Sequence, residues 1–157
     1  MHLLKTQHYG RLISQHTCKL RPGVESLIRG ALARGQSLAI ATTTTFSNVE
    51  ELLSVALDRN WRSLFATIVA GDDVARKKPA PDVYHEVLAR LGLSAIDCLA
   101  IEDSANGLIA ASKAEIPVLI TRSMYFRDDD FSEAHFVLED LSELAAGPET
   151  EKQPHAQ

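Results

Sequence analysis

Four short apolar runs, at 38–41, 65–69, 98–101 and 117–120, are each followed or preceded by a stretch long enough for one helix. Runs that are apolar without alternation suit strands buried on both faces, as parallel sheets demand. Parallel neighbours need crossover connections, and 47–56, 81–92 and 104–114 carry apolar residues at helical spacing between the runs. The expected class is therefore α/β, a Rossmann-like core with a mostly parallel sheet and helices on both faces. Residues 136–138 read as a short edge strand.

Punctuation residues place the helix ends. Pro22 precedes Val24, Leu27, Ile28, Ala31 and Leu32 at helical spacing, and Gly35 supplies a stop. Ser47 and Glu50 read as a Ser-x-x-Glu capping box ahead of Val49, Leu52, Leu53 and Ala56. Trp61 falls in a loop. Pro81-Asp82 opens a helix with Val83, Val87, Leu88 and Leu91 inward, ended by Gly92. Residues 2–16 form a plausible helix with Leu4, His8, Leu12 and Ile13 near one face. From Gly147 onward the chain is polar and proline-bearing, and disorder is expected there.

At 157 residues the chain amounts to one domain, and 45% hydrophobic with 24% charged residues is ordinary globular composition. The net charge of −5 argues against nucleic acid or an anionic membrane as partner, but not against phosphate esters, because a local cation outweighs a mean field. Cys18 and Cys98 show no redox or metal spacing, and Cys98 reads as a small buried hydrophobe. The six histidines form no pair of zinc-site spacing. With no signal-like h-region and no membrane-length apolar stretch, the expected compartment is the cytoplasm.

Three segments at strand ends carry chemistry. Thr42, Thr43 and Thr44 leave the first run ahead of a helix, where hydroxyls and free N–H groups bind phosphate; alone, they equally suit a β-branched strand end. Lys78 stands before Pro79, which restricts its backbone, and its ammonium suits a phosphoryl group; Arg76, Lys77 and Lys78 together also read as a solvated loop. Glu102 and Asp103 follow the third run directly. They are hard oxygen ligands suited to Mg²⁺, while Asp103 is also a natural N-cap for the next helix. Asn106-Gly107 permits that helix to approach the sheet closely. The carboxyl edge of such a sheet is where ligands bind. Asp128, Asp129 and Asp130 read as a solvated loop.

In this order, Ala-Thr-Thr-Thr at 41–44, Lys-Pro-Ala-Pro-Asp at 78–82 and Ile-Glu-Asp-Ser at 101–104 resemble motifs two to four of the haloacid dehalogenase superfamily. The likeness looks closest to the branch holding β-phosphoglucomutase and the CbbY-type sugar-phosphate phosphatases. Leu-Arg-Pro-Gly-Val at 20–24 and Tyr-Phe-Arg-Asp-Asp-Asp-Phe at 125–131 strengthen it. The resemblance implies that Thr42 hydrogen-bonds the transferring phosphoryl group, with Thr43 and Thr44 nearby. It implies that Lys78 neutralises phosphoryl charge and orients the nucleophile, and that Glu102 and Asp103 complete a Mg²⁺ site. It suggests a ketose bisphosphate, such as xylulose 1,5-bisphosphate, as substrate.

The same resemblance sets an expectation about what is missing. The family starts with a strand ending in Asp-x-Asp and a helical cap, and its first strand lies between the strands that here carry Thr42 and Asp103. No Asp-x-Asp stands before residue 41, and no Asp or Glu precedes Glu25. Residues 1–17 are then expected to be a remnant of the cap, 18–145 the core and 146–157 a disordered tail. A truncated phosphatase without its nucleophile, binding Mg²⁺ weakly, is the first reading. The alternatives are a non-catalytic module binding phosphate esters or a protein, half of a split enzyme, and an active hydrolase using Asp72 or Asp73. Self-association through open sheet edges is also expected.

Overall fold

The computed structural model describes residues 19–57 and 60–144. The expected helix at 2–16, Cys18 and the expected tail lie outside the described residues. Elements run α1 (Val24–Ala33), β1 (Ala39–Ala41), α2 (Phe46–Ala56), β2 (Thr67–Val69), α3 (Asp82–Leu91), β3 (Ala100–Glu102), α4 (Ala105–Lys113), β4 (Val118–Thr121) and β5 (Phe136–Leu138). Short 3₁₀ turns occupy Trp61–Leu64, Ala95–Asp97 and Leu141–Leu144.

All strand pairs are parallel. β1 pairs with β2, Ala39 opposite Thr67; β4 lies between β3 and β5, with Ala100 opposite Val118 and Leu119 opposite Phe136. The unbroken apolar runs have the predicted consequence: Val69, Val118 and Ile120 are fully buried. They join Val83 and Val87 of α3, Leu108, Ala110 and Ala111 of α4, and Phe131 in one core. α3 packs on β1 and β2, and α4 on β3 and β4. Small residues on α4 let it lie close to the sheet.

The β1–β2 pair and the three-stranded β3–β4–β5 sheet do not join into one ladder among the described residues. In a parallel strand one residue's N–H and C=O point to the same side, and the next residue's point to the other. Leu38 O accepts from Ala66 N at 2.8 Å and Thr42 N donates to Val69 O at 3.0 Å, so even-numbered residues of β1 face β2. Ala39 and Ala41 therefore turn their backbone groups toward β3. On β3, Ala100 N donates to Pro117 O at 2.9 Å, which leaves Ile101 facing β1. Among the described residues, β1 and β3 thus each present an inner edge without a ladder partner.

Two helix starts differ from the sequence reading. α2 is capped by Thr45, whose Oγ1 accepts from Asn48 N at 3.4 Å, rather than by Ser47. Thr45 has extended backbone and already precedes the first helical residue, so Ser47 lies inside the first turn and Glu50 is free to pair with Arg62. α4 is capped by Ser104, whose Oγ accepts from Gly107 N at 3.2 Å, rather than by Asp103. The Trp61 region is a 3₁₀ turn with the indole buried, its Nε1 donating to Ser54 Oγ at 3.2 Å.

Candidate functional site

The turn after β1 is pinned from several directions. Thr42 Oγ1 accepts from Thr44 N at 3.2 Å, Thr44 O accepts from Gly71 N at 2.7 Å, and Thr43 O accepts from Lys77 Nζ at 3.2 Å. A Cβ on Gly71 would lie 2.7 Å from the Thr43 carbonyl carbon, so glycine there is what admits the turn. Thr42 and Thr43 line the cleft at the strand ends. Thr44 does not. Its hydroxyl accepts instead from Asn48 Nδ2 at 2.8 Å, bracing the turn against α2.

The basic run separates into three jobs. Arg76 pairs with Asp82 at 2.8 Å on the surface, holding that carboxyl below its ordinary range. Lys77 braces Thr43. Lys78 is largely but not fully buried, its side chain 10% exposed, and its Nζ donates to Ala41 O at 3.0 Å and to Glu102 Oε1. It thereby spans the two open edges, from the last residue of β1 to the last of β3. Its ammonium also lies 4.9 Å from the centroid of the Tyr84 ring, a favourable cation–π distance. A solvated basic loop describes Arg76 but not Lys78.

Glu102 is held on every side. Oε1 accepts from Lys78 and from the Tyr84 hydroxyl, and Oε2 lies over Gly107. A Cβ on Gly107 would overlap the carboxyl group and sit 3.0 Å from Glu102 Cγ. Burial, then the Glu102 charge and hydrogen bond, push the Tyr84 phenol far above its ordinary value, so it remains a donor. Asp103 lines the cleft beside Ser104, and because Ser104 does the capping, the Asp103 carboxylate keeps its lone pairs for a ligand. Asp129 Oδ2 accepts from Ala105 N at 2.7 Å, tying the loop after β4 to the first residue of α4.

Thr42, Thr43, Lys78, Glu102, Asp103, Ser104, Thr121 and Phe126 together line an open cleft of about 400 Å³ between β1 and β3. Its wall therefore holds hydroxyls, an ammonium and two carboxylates, the set suited to an anionic ester and a cation. No three His, Cys, Asp or Glu side chains converge as a metal cage among the described residues. Asp103, with Glu102 directly behind it, still fits Mg²⁺, a cation that keeps its waters and takes one or two carboxylates. Asp72 and Asp73 lie outside this lining. Asp72 Oδ2 accepts from Phe46 N at 3.4 Å, and Asp73 Oδ2 from Ala70 N at 2.8 Å with Arg90 at 3.8 Å.

Residues 2–121 match the model of the haloacid dehalogenase-like hydrolases. The chain belongs to that family. It is 48% identical over 145 residues to the plasmid-borne protein CbbY of Cupriavidus necator, covering 92% of this chain and 57% of that one. CbbY of Rhodobacter capsulatus is likewise 48% identical, over 92% of this chain and 64% of its own length. A crystal structure of a CbbY variant from Rhodobacter sphaeroides with xylulose-(1,5)bisphosphate superposes with a TM-score of 0.88 at 38% identity, covering 91% and 64% of the two chains. A β-phosphoglucomutase from Clostridium difficile shares the fold, with a TM-score of 0.75 at 20% identity over 89% and 59% of the chains. The chain spans 57–64% of the length of these CbbY relatives.

Sequence reasoning passed over Tyr84 and the separate place of Phe126, and it read Asp129 as part of a solvated loop, whereas that carboxylate is half-buried and braces α4. Tyr84 stands one position from Val83 and three from Val87, so it counts as one more apolar-face residue until its hydroxyl meets Glu102. Asp129 acts on a helix 24 residues upstream, and no local pattern announces such a contact.

Proposed function

We propose that residues 18–145 are the phosphoryl-binding core of a Mg²⁺-dependent, CbbY-like sugar-phosphate phosphohydrolase. The observation that carries this reading is the convergence of Thr42, Lys78 and Asp103 on one cleft at the carboxyl ends of parallel strands. Phosphoryl transfer needs little more than positioning and charge stabilisation. Thr42 and Thr43 would donate hydroxyl hydrogen bonds to phosphoryl oxygens, and Lys78, held by Ala41 O and Glu102, would set an ammonium against the same oxygens. Asp103 would hold Mg²⁺, with the Glu102 carboxylate behind it tied to Lys78 and Tyr84; the cation when bound supplies positive charge to offset that of the phosphoryl group. The relatives' bisphosphate ligand makes a ketose bisphosphate the reference substrate.

The 157-residue polypeptide has no Asp-x-Asp before residue 41, and Asp72 and Asp73 are occupied elsewhere. A covalent nucleophile contributes several orders of magnitude in rate, so little turnover is expected of this stretch of sequence by itself. It should hydrolyse p-nitrophenyl phosphate no faster than its Asp103→Asn variant. A Mg²⁺-dependent rate clearly above that variant's would reject the inactive reading and point back to Asp72 or Asp73.

The open edges of β1 and β3 favour a second property, association of the chain with itself through the slot between them. Size-exclusion chromatography with light scattering checks it: oligomers are expected, and a monodisperse monomer with a sharp, high melting transition would contradict it.

A further inference from the structure

The cleft lining is polar apart from Ala41 and Ile101 at the strand ends and an aromatic ring. Beyond Thr121 the chain turns through residues 122–130, and there Phe126 lines the cleft together with the threonines, Lys78 and the carboxylates. Its neighbours Met124 and Tyr125 are 83% and 84% exposed and do not line it, whereas Phe126 is 41% exposed. The turn is not a loose tether. Phe126 N donates to Ser123 O at 3.3 Å, Asp129 N to Phe126 O at 3.2 Å, and Arg122 Nη1 to Arg127 O at 3.3 Å. At its far end Phe131 is buried in the core with the Arg122 guanidinium 5.7 Å from its ring centroid. Most directly, Asp129 accepts from Ala105 N, the first residue of the helix that follows Asp103 and Ser104. The ring is thus fixed in register with the acidic end of the cleft.

We infer that Phe126 is a specificity-determining residue, an apolar wall that contacts the carbon skeleton of a bound phosphate ester. The inference rests on the phosphoryl-binding reading above. Its physical basis is division of labour. Hydroxyls, ammonium and a cation bind any phosphate equally, inorganic phosphate included, whereas an aromatic ring gains only from ligands that bring C–H surface to bury. Phe126 therefore raises affinity for organic esters and leaves that for inorganic phosphate unchanged. Phosphate and its sugar ester are then told apart by the core itself.

The test titrates the full 157-residue chain with inorganic phosphate and separately with glucose 6-phosphate, by calorimetry in the presence of Mg²⁺. Phe126→Ala is expected to weaken glucose 6-phosphate about tenfold, the order expected for losing partial burial of an aromatic side chain, with phosphate changed less than about twofold. Phe126→Leu should recover part of the loss. Tyr125→Ala, which alters an exposed residue of the same turn, should leave both affinities unchanged, and melting curves confirm that the variants fold. Equal weakening of both probes, or of neither, by Phe126→Ala overturns the inference while leaving the phosphate site intact. An effect of Tyr125→Ala equal to that of Phe126→Ala would assign the change to the turn as a whole, and also overturns it. Failure of the wild-type chain to bind either probe removes the phosphoryl-binding reading, and the wall with it.

Discussion

Replacing Gly107 by alanine sets a helix preference against a buried collision. Gly107 lies inside α4, where alanine is ordinarily favoured by about 0.5–1 kcal/mol. Here the added methyl would overlap the Glu102 carboxyl group, which cannot move without giving up Lys78 and Tyr84. Overpacking a tight site costs about 1–3 kcal/mol, and separating a buried ion pair costs about 3–5 kcal/mol. Even if only the first cost and part of the second are incurred, the net loss is about 2–4 kcal/mol. For a domain between the small and mid-sized ranges, 1 kcal/mol corresponds to roughly 4 °C, so the midpoint should fall by about 8–16 °C. Gly30→Ala is the matched control. It lies inside α1, and the atom a Cβ would meet, Arg34 Nη1 at 3.2 Å, is the end of a flexible side chain. The same substitution should therefore raise the midpoint slightly at Gly30 and lower it sharply at Gly107. Thermal melts followed by circular dichroism decide it. A Gly107→Ala variant as stable as wild type would refute the claim that Glu102 is locked in place.

Lys78→Met should destabilise by about 3–5 kcal/mol, because it strands the Glu102 charge, and adding Glu102→Gln should restore much of that loss in urea melts. Tyr84→Phe keeps the ring beside Lys78 but removes one donor to a buried carboxylate; a loss of about 1.5–3 kcal/mol is expected, measured in the same way. On acidification, Asp82, Asp130 and Asp140 all have folded values held below the ordinary carboxylate range, by Arg76, Ser132 and Ser142 respectively. The unfolded chain then binds protons more readily. The stability these groups contribute is complete above about pH 4 and is lost as pH falls through their lowered folded values. A urea midpoint that stays level from pH 5 to pH 2.5 would contradict this.

The sheet was legible where a strand is buried on both faces, so 117–120 stands out within one residue of β4, while the exposed edge strand at 136–138 was read from its short apolar run alone. β2 was overestimated at its start. Its apolar pattern continues upstream through Phe65, and the 3₁₀ turn at Trp61–Leu64 takes the chain into the core without joining the ladder. Cap assignments failed where two candidate residues lay one or two positions apart. Thr45 and Ser47, or Asp103 and Ser104, are equivalent by residue type, and only the backbone direction entering the helix separates them. Lys78, Thr42, Glu102 and Asp103 could be nominated from strand-end position. What could not be read was the long-range bracing, Lys78 to Ala41 and Glu102, Tyr84 to Glu102, Asp129 to α4, because those contacts join residues 18 to 37 positions apart.

The central claim is that the cleft between β1 and β3 binds a phosphoryl group. Titration of the ¹⁵N-labelled chain with inorganic phosphate and Mg²⁺, followed by amide chemical shifts, tests it most directly. The expected result is saturable shifts concentrated at Thr42, Thr43, Lys78 and Asp103 to Ala105, reduced in a Thr42→Val variant that melts like wild type. No saturable shift at these amides, or shifts confined to residues away from the cleft, would contradict the account.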